Sequence, residues 1–445
     1  MSANRGRWGR RLGAVFGAVL WLAAGSPVNA SPAAPGFEVW HQPPGLILRG
    51  EPAVARVEWQ TTDGGDPTEA YVFVRDDAHA SFTRLRLFDG GTHRTIPAKF
   101  LTGRYVEDYV VLHDSGTSAV RRVPATGAFR SFIRDSFHTI ALGKHSFGHL
   151  RRPDAVVARA SVGDGPHQIA WFCPPEGLCE YPWSFDVGPH GEVWMVDPHH
   201  ERVVGWFPKH PEAPSRSFPI DFGPADIAVG ANGVVYVSGV KLGDPVHRMA
   251  LYAFKPDGTL LWRSHMITQV FNDHIRFGPA GILYCACDLF GWVPVVDGAG
   301  KPLRIDQQRR LARPDQPVDG GLRLISRIRS QHEQRAGLAT VEGTLLRAWR
   351  ITSDTPMGDF GGFGTPAAVE GDPILDATVF DFAHHRFENV ILRLSKDDGL
   401  ARKFSLGEGI DQGADVTMLR VGYDGDLYQL TGNEHDGVTV ARYSL

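Results

Sequence analysis

The sequence predicts an all-β protein, with an N-terminal β-sandwich followed by a six-bladed β-propeller. Its 445 residues include 51 glycines, 31 prolines and 10% aromatic residues, a composition typical of short strands joined by tight turns. Short apolar segments between turn residues run through the chain, and a unit of forty to fifty residues recurs in its C-terminal two-thirds. The predicted division is a signal peptide over residues 1–30, an immunoglobulin- or fibronectin-like sandwich over 31–145 and a propeller over 146–445.

The first part of the chain has the order of a secretory signal peptide. A basic segment with four arginines precedes an apolar run at residues 12–24, and small residues at 28–30 offer a cleavage site. The apolar run is short for a bilayer span, although a membrane anchor is the alternative interpretation. We therefore expect a secreted or periplasmic protein that has no membrane span after removal of the signal.

The remaining chain, about 415 residues, is long enough for two domains. The net charge of −4, the pI near 6.5 and the absence of any block of like charges argue against a nucleic-acid partner. The sequence also lacks the G-x-S-x-G, H-E-x-x-H, G-x-G-x-x-G and Walker motifs, so no common catalytic signature indicates a reaction.

Strand-like segments predict the N-terminal sandwich. They lie at residues 54–59, 71–74, 82–87, 105–112 and 118–123. The last two form a predicted hairpin with a turn around Gly116. Five or more short strands with a turn about every ten residues are typical of a β-sandwich, although the inter-sheet cysteine pair of antibody domains is absent. The alternative is that these strands are irregular first blades of the propeller.

A repeat predicts the propeller. In each copy a short apolar strand ends in a turn closed by an anchor glycine, and a Trp or Tyr follows three residues later. The anchor glycines are Gly191, Gly233, Gly281 and Gly425. The spacing between them leaves room for six units, two of them degenerate, around residues 322–352 and 378–406. Each unit matches the length of a four-stranded propeller blade, and five to seven blades fit the pattern.

At these residues the chain resembles the NHL-repeat propellers. The repeat that matches best reads PWSFDVGPHGEVWMVDPHHERVVGWF, and an Asp-x-x-His stretch recurs at residues 381–386. The resemblance covers roughly residues 150–445 and implies a platform that binds a partner, which we expect to be an extracellular glycan, peptide or protein.

Two enzyme groups of this broad family, the peptidyl-hydroxyglycine amidating lyases and the streptogramin lyases, provide the alternative of a propeller lyase or hydrolase. Their functional residues cannot be matched here position by position. The cofactor and the metal content are therefore left open.

Positions counted back from each anchor glycine identify a candidate site. Seven residues before the glycines stand Ser184, Asp226, His274 and Met418. Five residues before them stand Asp186, Ala228, Arg276 and Arg420. Both positions share one strand face. If that face lines the central funnel, four side chains converge as candidate catalytic residues: Asp226, His274, Arg276 and Arg420.

The chemistry of these four residues fits either catalysis or structure. An Asp with a His supplies a general base, and paired arginines neutralise a carboxylate. The alternative is that the charged side chains form ion pairs between blades. Tyr236 and Tyr284, three residues after their glycines, are interpreted as core aromatics between blades.

Two histidine pairs, His199-His200 and His384-His385, raise the question of a metal site. Both fall at the polar turn of the repeat, and adjacent residues of a strand face opposite ways. We therefore interpret them as turn residues rather than metal ligands.

The four cysteines lie in two close pairs and permit two disulfides in an oxidising compartment. A Cys173–Cys179 bond would close a small loop. Cys285 and Cys287 occupy one predicted strand at a spacing that argues against a mutual bond, so a cross-link between the two pairs is the rival. Metal binding by all four is the weaker alternative.

Overall fold

The computed structural model describes residues 37–61, 67–87, 93–113, 120–174, 179–241, 249–267, 274–287, 291–318, 320–362, 372–395, 399–407, 409 and 418–445. The predicted signal peptide and the turn around Gly116 lie outside the described residues. Among the residues described, no helix is both long and apolar enough to cross a membrane.

Two sheets of mostly antiparallel strands form the N-terminal part. The first has the order β1 (Phe37–Gln42), β3 (Ala53–Thr61), β6 (His93–Ile96). The second has the order β2 (Leu46–Leu48), β9 (Phe129–Arg134), β7 (Tyr105–His113), β4 (Glu69–Asp76), β5 (Thr83–Arg86), with β8 (Val120–Val123) paired to β7. Alternate residues of β7 are buried, and side chains of both sheets form one hydrophobic cluster. The segments with period-two alternation are therefore strands that share a core.

Six consecutive sheets follow along the chain, and we number them 1 to 6. Sheet 1 has β12 (Phe185–Val187), β13 (Val193–Asp197), β14 (Arg202–Trp206) and β15 (Arg216–Pro219). Sheet 2 has β16 (Gly223–Val229), β17 (Val235–Val240), β18 (Met249–Phe254) and β19 (Leu260–His265). Sheet 3 has β20 (His274–Phe277), β21 (Leu283–Cys287) and β22 (Gly291–Val296).

The last three sheets include the two predicted degenerate units. Sheet 4 has β23 (Gln316–Val318), β24 (Leu322–Ser330), β25 (Glu333–Thr340) and β26 (Leu345–Thr352), and β10 (His138–Ala141) joins β26 in parallel. Sheet 5 has β27 (Met357–Gly362), β28 (Ile374–Asp381), β29 (Arg386–Leu394) and β30 (Leu400–Leu406). Sheet 6 has β31 (Leu419–Val421), β32 (Leu427–Asn433), β33 (Gly437–Tyr443) and β11 (Ala155–Ala160). Thus a strand that precedes sheet 1 in sequence completes sheet 6.

Helical structure is sparse among the described residues. One α-helix, α1 (Ile305–Leu311), connects sheets 3 and 4, and two short 3₁₀ turns lie at Ala98–Phe100 and Pro279–Gly281. Gln308 of α1 is buried and accepts a hydrogen bond from the backbone N–H of Ile267 at 2.9 Å, which fixes the helix to sheet 2.

The anchor glycines occupy equivalent turns, as the repeat predicts. Their φ angles are 79° at Gly191, 76° at Gly233, 67° at Gly281 and 83° at Gly425. The N–H of Gly233 donates to the carbonyl of Gly230 at 2.8 Å, and the N–H of Gly230 donates to the carbonyl of Val234 at 2.9 Å. A side chain at such a φ is strained, so glycine is the residue that lets the first two strands of each unit pair directly.

Hydrophobic clusters fill the spaces between neighbouring sheets. Tyr236 of sheet 2 is buried and meets the ring of Phe277 in sheet 3, with 5.5 Å between centroids. This confirms the interpretation of Tyr236 as a core aromatic. Trp194 occupies the same position in its unit and packs in the cluster shared by sheets 1 and 2.

The cysteines form two disulfides within the predicted pairs, Cys173–Cys179 and Cys285–Cys287. The expectation that Cys285 and Cys287 are poorly placed to bond to each other is wrong. Both side chains lie on the same face of β21, as predicted, and their Cα atoms are 5.4 Å apart. This is closer than two residues of a fully extended strand and within the range that a disulfide spans.

Candidate functional site

The first strands of four sheets meet around one group of side chains. β12 packs against β16 and β31, and β16 packs against β20. The two aligned positions before the anchor glycines therefore face a common centre. We call the polar side chains there the central cluster: Ser184, Asp186, Asp226, His274, Arg276, Asp376 and Arg420.

Asp226 is the buried hub of this cluster, with 1% of its surface exposed. Its Oδ1 accepts hydrogen bonds from the Ser184 hydroxyl, from the N–H of Ile227 at 2.9 Å and from Arg420 Nη2 at 2.7 Å. Its Oδ2 accepts from the N–H of Ile275 at 2.7 Å. Protein donors from four sheets therefore surround this carboxylate.

Arg420 reaches across from sheet 6 and is also buried. Its Nε donates to the carbonyl of Phe185 at 2.8 Å, and its Nη2 donates to the carbonyl of Ile227 at 3.2 Å in addition to Asp226. Its Nε lies 3.8 Å from Oδ1 of Asp186. The third nitrogen, Nη1, is buried without an acceptor among the residues described. One donor of this guanidinium is thus available to a group that no described residue provides.

His274 and Arg276 lie on the more accessible side of the cluster. The His274 side chain is 30% exposed, and its Nδ1 is 3.7 Å from Oδ2 of Asp226. Arg276 is partly exposed, and its Nη1 makes a long bond of 3.4 Å to the carbonyl of Leu419 in sheet 6. All four residues predicted from the repeat are therefore brought together, whereas their catalytic role stays a prediction.

Three further polar residues in or beside the cluster were not among the four candidates predicted from the sequence. Asp186 accepts a hydrogen bond from the N–H of Val229 at 2.7 Å, and the hydroxyl of Tyr423 donates to the carbonyl of Val229 at 2.8 Å. Asp376 of sheet 5 has a buried Oδ1 without a hydrogen-bond donor in the part of the chain that the structure describes. The alignment had placed Asp186 at an equivalent position, whereas no anchor glycine marks the unit that contains Asp376.

The pKa of Asp226 is shifted in the opposite direction to the pKa values of Asp186 and Asp376. Burial alone would raise the pKa of Asp226, but the charge of Arg420, the nearby His274 and the hydrogen bond from Ser184 hold it well below its usual range. Burial raises the pKa of Asp186, and it raises the pKa of Asp376 to about 7 although Arg276 partly offsets it.

Arg276 responds in the opposite direction, because burial lowers its pKa to about 9 and the nearby charge of Arg420 adds to the effect. The guanidinium groups of Arg276 and Arg420 thus lie close together, and their positive charges repel each other. An anion placed between them would be stabilised.

The histidine pairs lie outside this cluster and at turns, as predicted. His199 bonds to Glu180 at 2.6 Å and His200 to Asp197 at 2.7 Å, while His384 bonds to Asp381 at 2.8 Å. Among the described residues, no group of three or more His, Cys, Asp or Glu side chains is arranged to hold a metal ion.

No family model matches the chain, and no curated protein matches its sequence. The solved structures that resemble it include β-propeller proteins. The virginiamycin B lyase from Staphylococcus aureus is 10% identical, with a TM-score of 0.32 over 59% of this chain and 94% of the lyase. The PQQ-bound aldose sugar dehydrogenase from Streptomyces coelicolor is 12% identical, with a TM-score of 0.36 over 65% of this chain and 96% of the dehydrogenase.

The β-propeller domain of the trilobed protease from Pyrococcus furiosus is 8% identical, with a TM-score of 0.31 over 85% of this chain and 96% of that domain. Likeness at this level gives no correspondence between residues. Function is therefore argued from the central cluster alone.

Proposed function

We propose that the chain is an exported binding protein in which a β-sandwich carries a six-bladed β-propeller, and that the central cluster binds a ligand presented from outside. The expected ligands are those of an extracellular partner: a glycan, a peptide or a segment of a protein. The proposal depends on the difference between the buried residues of the cluster, Asp226 and Arg420, and the more accessible ones, His274 and Arg276.

The observation that carries the proposal is the dense hydrogen bonding of Asp226. This carboxylate accepts from Ser184, Arg420 and two backbone N–H groups, and His274 lies 3.7 Å from its Oδ2, so groups of the protein surround both of its oxygens. Its depressed pKa also makes it a weak base at neutral pH. These contacts argue against Asp226 itself as the general base of a lyase, whereas Arg276 and His274 remain accessible for binding.

The succession of the six sheets supports the propeller architecture. Strand β11 pairs with β33, so the start of the C-terminal region joins its end within one sheet. Hydrogen bonds from Arg420 to Asp226 and from Arg276 to Leu419 connect sheets that are not consecutive in the chain. Such contacts are expected where inner strands surround a common axis.

One observation favours a second function, a propeller lyase or hydrolase. Burial raises the pKa of Asp376 to about 7, which suits a general acid or base at neutral pH. Its buried Oδ1 has no donor among the described residues, and Arg276 stands near enough to affect its charge. In this alternative Asp376 transfers the proton and Arg276 neutralises the developing anion.

Ligand-dependent thermal stabilisation tests the proposal. The mature chain is screened against glycans and peptides, and a binder is then tested with His274→Ala and with the control His435→Ala, whose side chain is 84% exposed on a hairpin of sheet 6. We expect the stabilisation to disappear in His274→Ala and to persist in the control. A stabilisation that both variants retain would place the ligand elsewhere and contradict the proposal.

Product analysis by mass spectrometry separates the two functions. Wild-type protein incubated with the binder should leave it unchanged if the protein only binds. Conversion of the ligand by wild type, abolished in Asp376→Asn while the thermal stabilisation remains, would establish the enzyme alternative.

A further inference from the structure

The unsatisfied groups of the central cluster specify the chemistry of its ligand more closely. Arg420 is 97% buried at its side chain, yet its Nη1 has no acceptor among the described residues. A buried guanidinium donor without a partner costs free energy, and a ligand that accepts its hydrogen bond would recover that cost. Among the described residues, the neighbouring Arg276 makes one hydrogen bond, a long one to the carbonyl of Leu419.

The unsatisfied donors of the two guanidinium groups, rather than the net charge of the cluster, point to an anion, because Asp186 and Asp376 also lie near these groups. Asp226 is engaged by Arg420 through a bond of 2.7 Å, and Arg276 has no ion pair within 4.0 Å of a described carboxylate. Two guanidinium groups with planar donor edges match the two oxygens of a carboxylate.

The neighbouring side chains indicate the kind of molecule that carries this carboxylate. Of the residues at the two aligned positions, all but Ala228 and Met418 are polar, and Asp376 adds a further polar group. A peptide that ends in an apolar residue would need an apolar pocket beside its carboxylate, whereas a sugar ring presents hydroxyls. Polar groups such as Asp186, His274 and Asp376 suit those hydroxyls.

We propose that the central cluster binds a sugar acid, with the carboxylate of a uronic acid residue held between Arg276 and Nη1 of Arg420. This inference rests on the proposed binding function and adds the substrate class. The hydroxyls of the sugar bond to Asp186, His274 and Asp376.

Calorimetric titration with a matched pair of sugars tests the carboxylate directly. D-Galacturonate and D-galactose share a hydroxylated ring and differ in one carboxylate, so the wild-type comparison does not depend on any variant. We expect galacturonate to bind at least roughly tenfold more tightly than galactose, with an affinity that falls as salt is added. Equal affinity for both sugars would overturn the sugar-acid inference and leave the binding function standing.

Variants then locate the carboxylate. Arg276→Gln should weaken galacturonate binding by roughly tenfold to a hundredfold, and so reduce the preference for galacturonate over galactose, because a charged hydrogen-bond donor is lost. The control Arg84→Gln, at an exposed position of β5, should bind like wild type.

A peptide with a free C-terminal carboxylate and its amidated form complete the test. Binding of the free peptide alone, without galacturonate, would assign the site to a peptide terminus instead and overturn the inference. Absence of binding by galacturonate and by the peptide would also overturn it, and the broader glycan and peptide screen would then decide the binding function separately.

Discussion

Asp226 links the first strands of sheets 1, 2, 3 and 6 through one buried carboxylate. Because its partner Arg420 is equally buried, loss of either charge leaves the other without compensation. We predict that Asp226→Asn lowers the free energy of unfolding by about 3–5 kcal/mol. The amide also turns N–H donors toward the N–H of Ile275, which adds to the loss.

Urea denaturation measures this effect, with Asp221→Asn as the control because the Asp221 side chain is 76% exposed. The pH dependence gives a second readout. The depressed pKa of Asp226 means that its contribution is present above the usual Asp pKa of 3.8 and is lost as the pH falls further. Stability that stays within about 1 kcal/mol of wild type would show that the pair is not a structural hub.

Asp376 is predicted to change stability with pH in the opposite direction to Asp226. Between about pH 4 and pH 7 the unfolded chain has lost this proton whereas the folded protein keeps it, because burial raises the pKa to about 7. Stability contributed by this group is therefore lost as the pH rises. Asp376→Asn, which is neutral at every pH, should raise the free energy of unfolding at pH 8 by on the order of 1–3 kcal/mol and have little effect at pH 4.

Denaturation of Asp376→Asn at both pH values, beside wild type and Asp221→Asn, checks the sign. An equal change at pH 4 and pH 8 would mean that the substitution acts through packing. A loss of stability confined to pH 8 would mean that the carboxylate is ionised and stabilising in the folded protein.

At the scale of the element, adding one methyl group to an anchor glycine tests how much its positive φ matters for stability. A Cβ at Gly233 would meet only Pro256, at 3.9 Å, so the cost of Gly233→Ala comes from its φ of 76° rather than from a clash. We predict a loss of about 1 kcal/mol in the free energy of unfolding. Gly223→Ala is the matched control, because its backbone has no positive φ and the nearest atom to a Cβ there is 3.8 Å away.

Thermal and urea denaturation of the two alanine variants should therefore differ. If Gly223→Ala is the more damaging change, packing inside sheet 2 decides stability, and the anchor glycine is dispensable for the turn.

The sequence predicted those units in which an anchor glycine marks the register. Gly233 and Gly281 place Asp226 and Arg276 on one face, and the structure brings these residues together. Sheets 4 and 5 were predicted only as degenerate units, since no glycine followed by Tyr or Trp fixes their register. Asp376 was missed for that reason.

Other features depend on long-range geometry that a single sequence does not contain. Arg420 and Asp226 are 194 residues apart in the chain, so their pairing follows only from the arrangement of sheets 2 and 6. The Cys285–Cys287 bond was rejected because an extended strand was assumed, and the local shortening of β21 was not visible in the sequence.

At the scale of the whole molecule, the N-terminal sheets contact sheet 4 through a buried region around Leu46 and Arg335, which we call the joint. Arg335 is 1% exposed, and its Nη2 donates to Glu51 at 2.7 Å while its Nη1 reaches the carbonyl of Leu46 at 3.4 Å. The Leu46 side chain is fully buried in a cluster with Phe132 of its own sheet and Ile325 of sheet 4. Strand β10 adds a parallel connection to β26. The two parts therefore share both a sheet and a core.

A shared core couples the unfolding of the two parts, because neither can open without exposing apolar surface of the other. We predict one calorimetric transition for the wild-type chain and a loss of about 2–5 kcal/mol in Leu46→Ala, which empties part of the joint. The control is Leu260→Ala, because Leu260 lies on β19 and is 51% exposed. This variant should leave the transition nearly unchanged. Two transitions in wild type, of which Leu46→Ala shifts only one, would mean that the joint holds two independently stable parts. The central cluster would then be stable without the N-terminal sheets, and ligand binding should survive their removal.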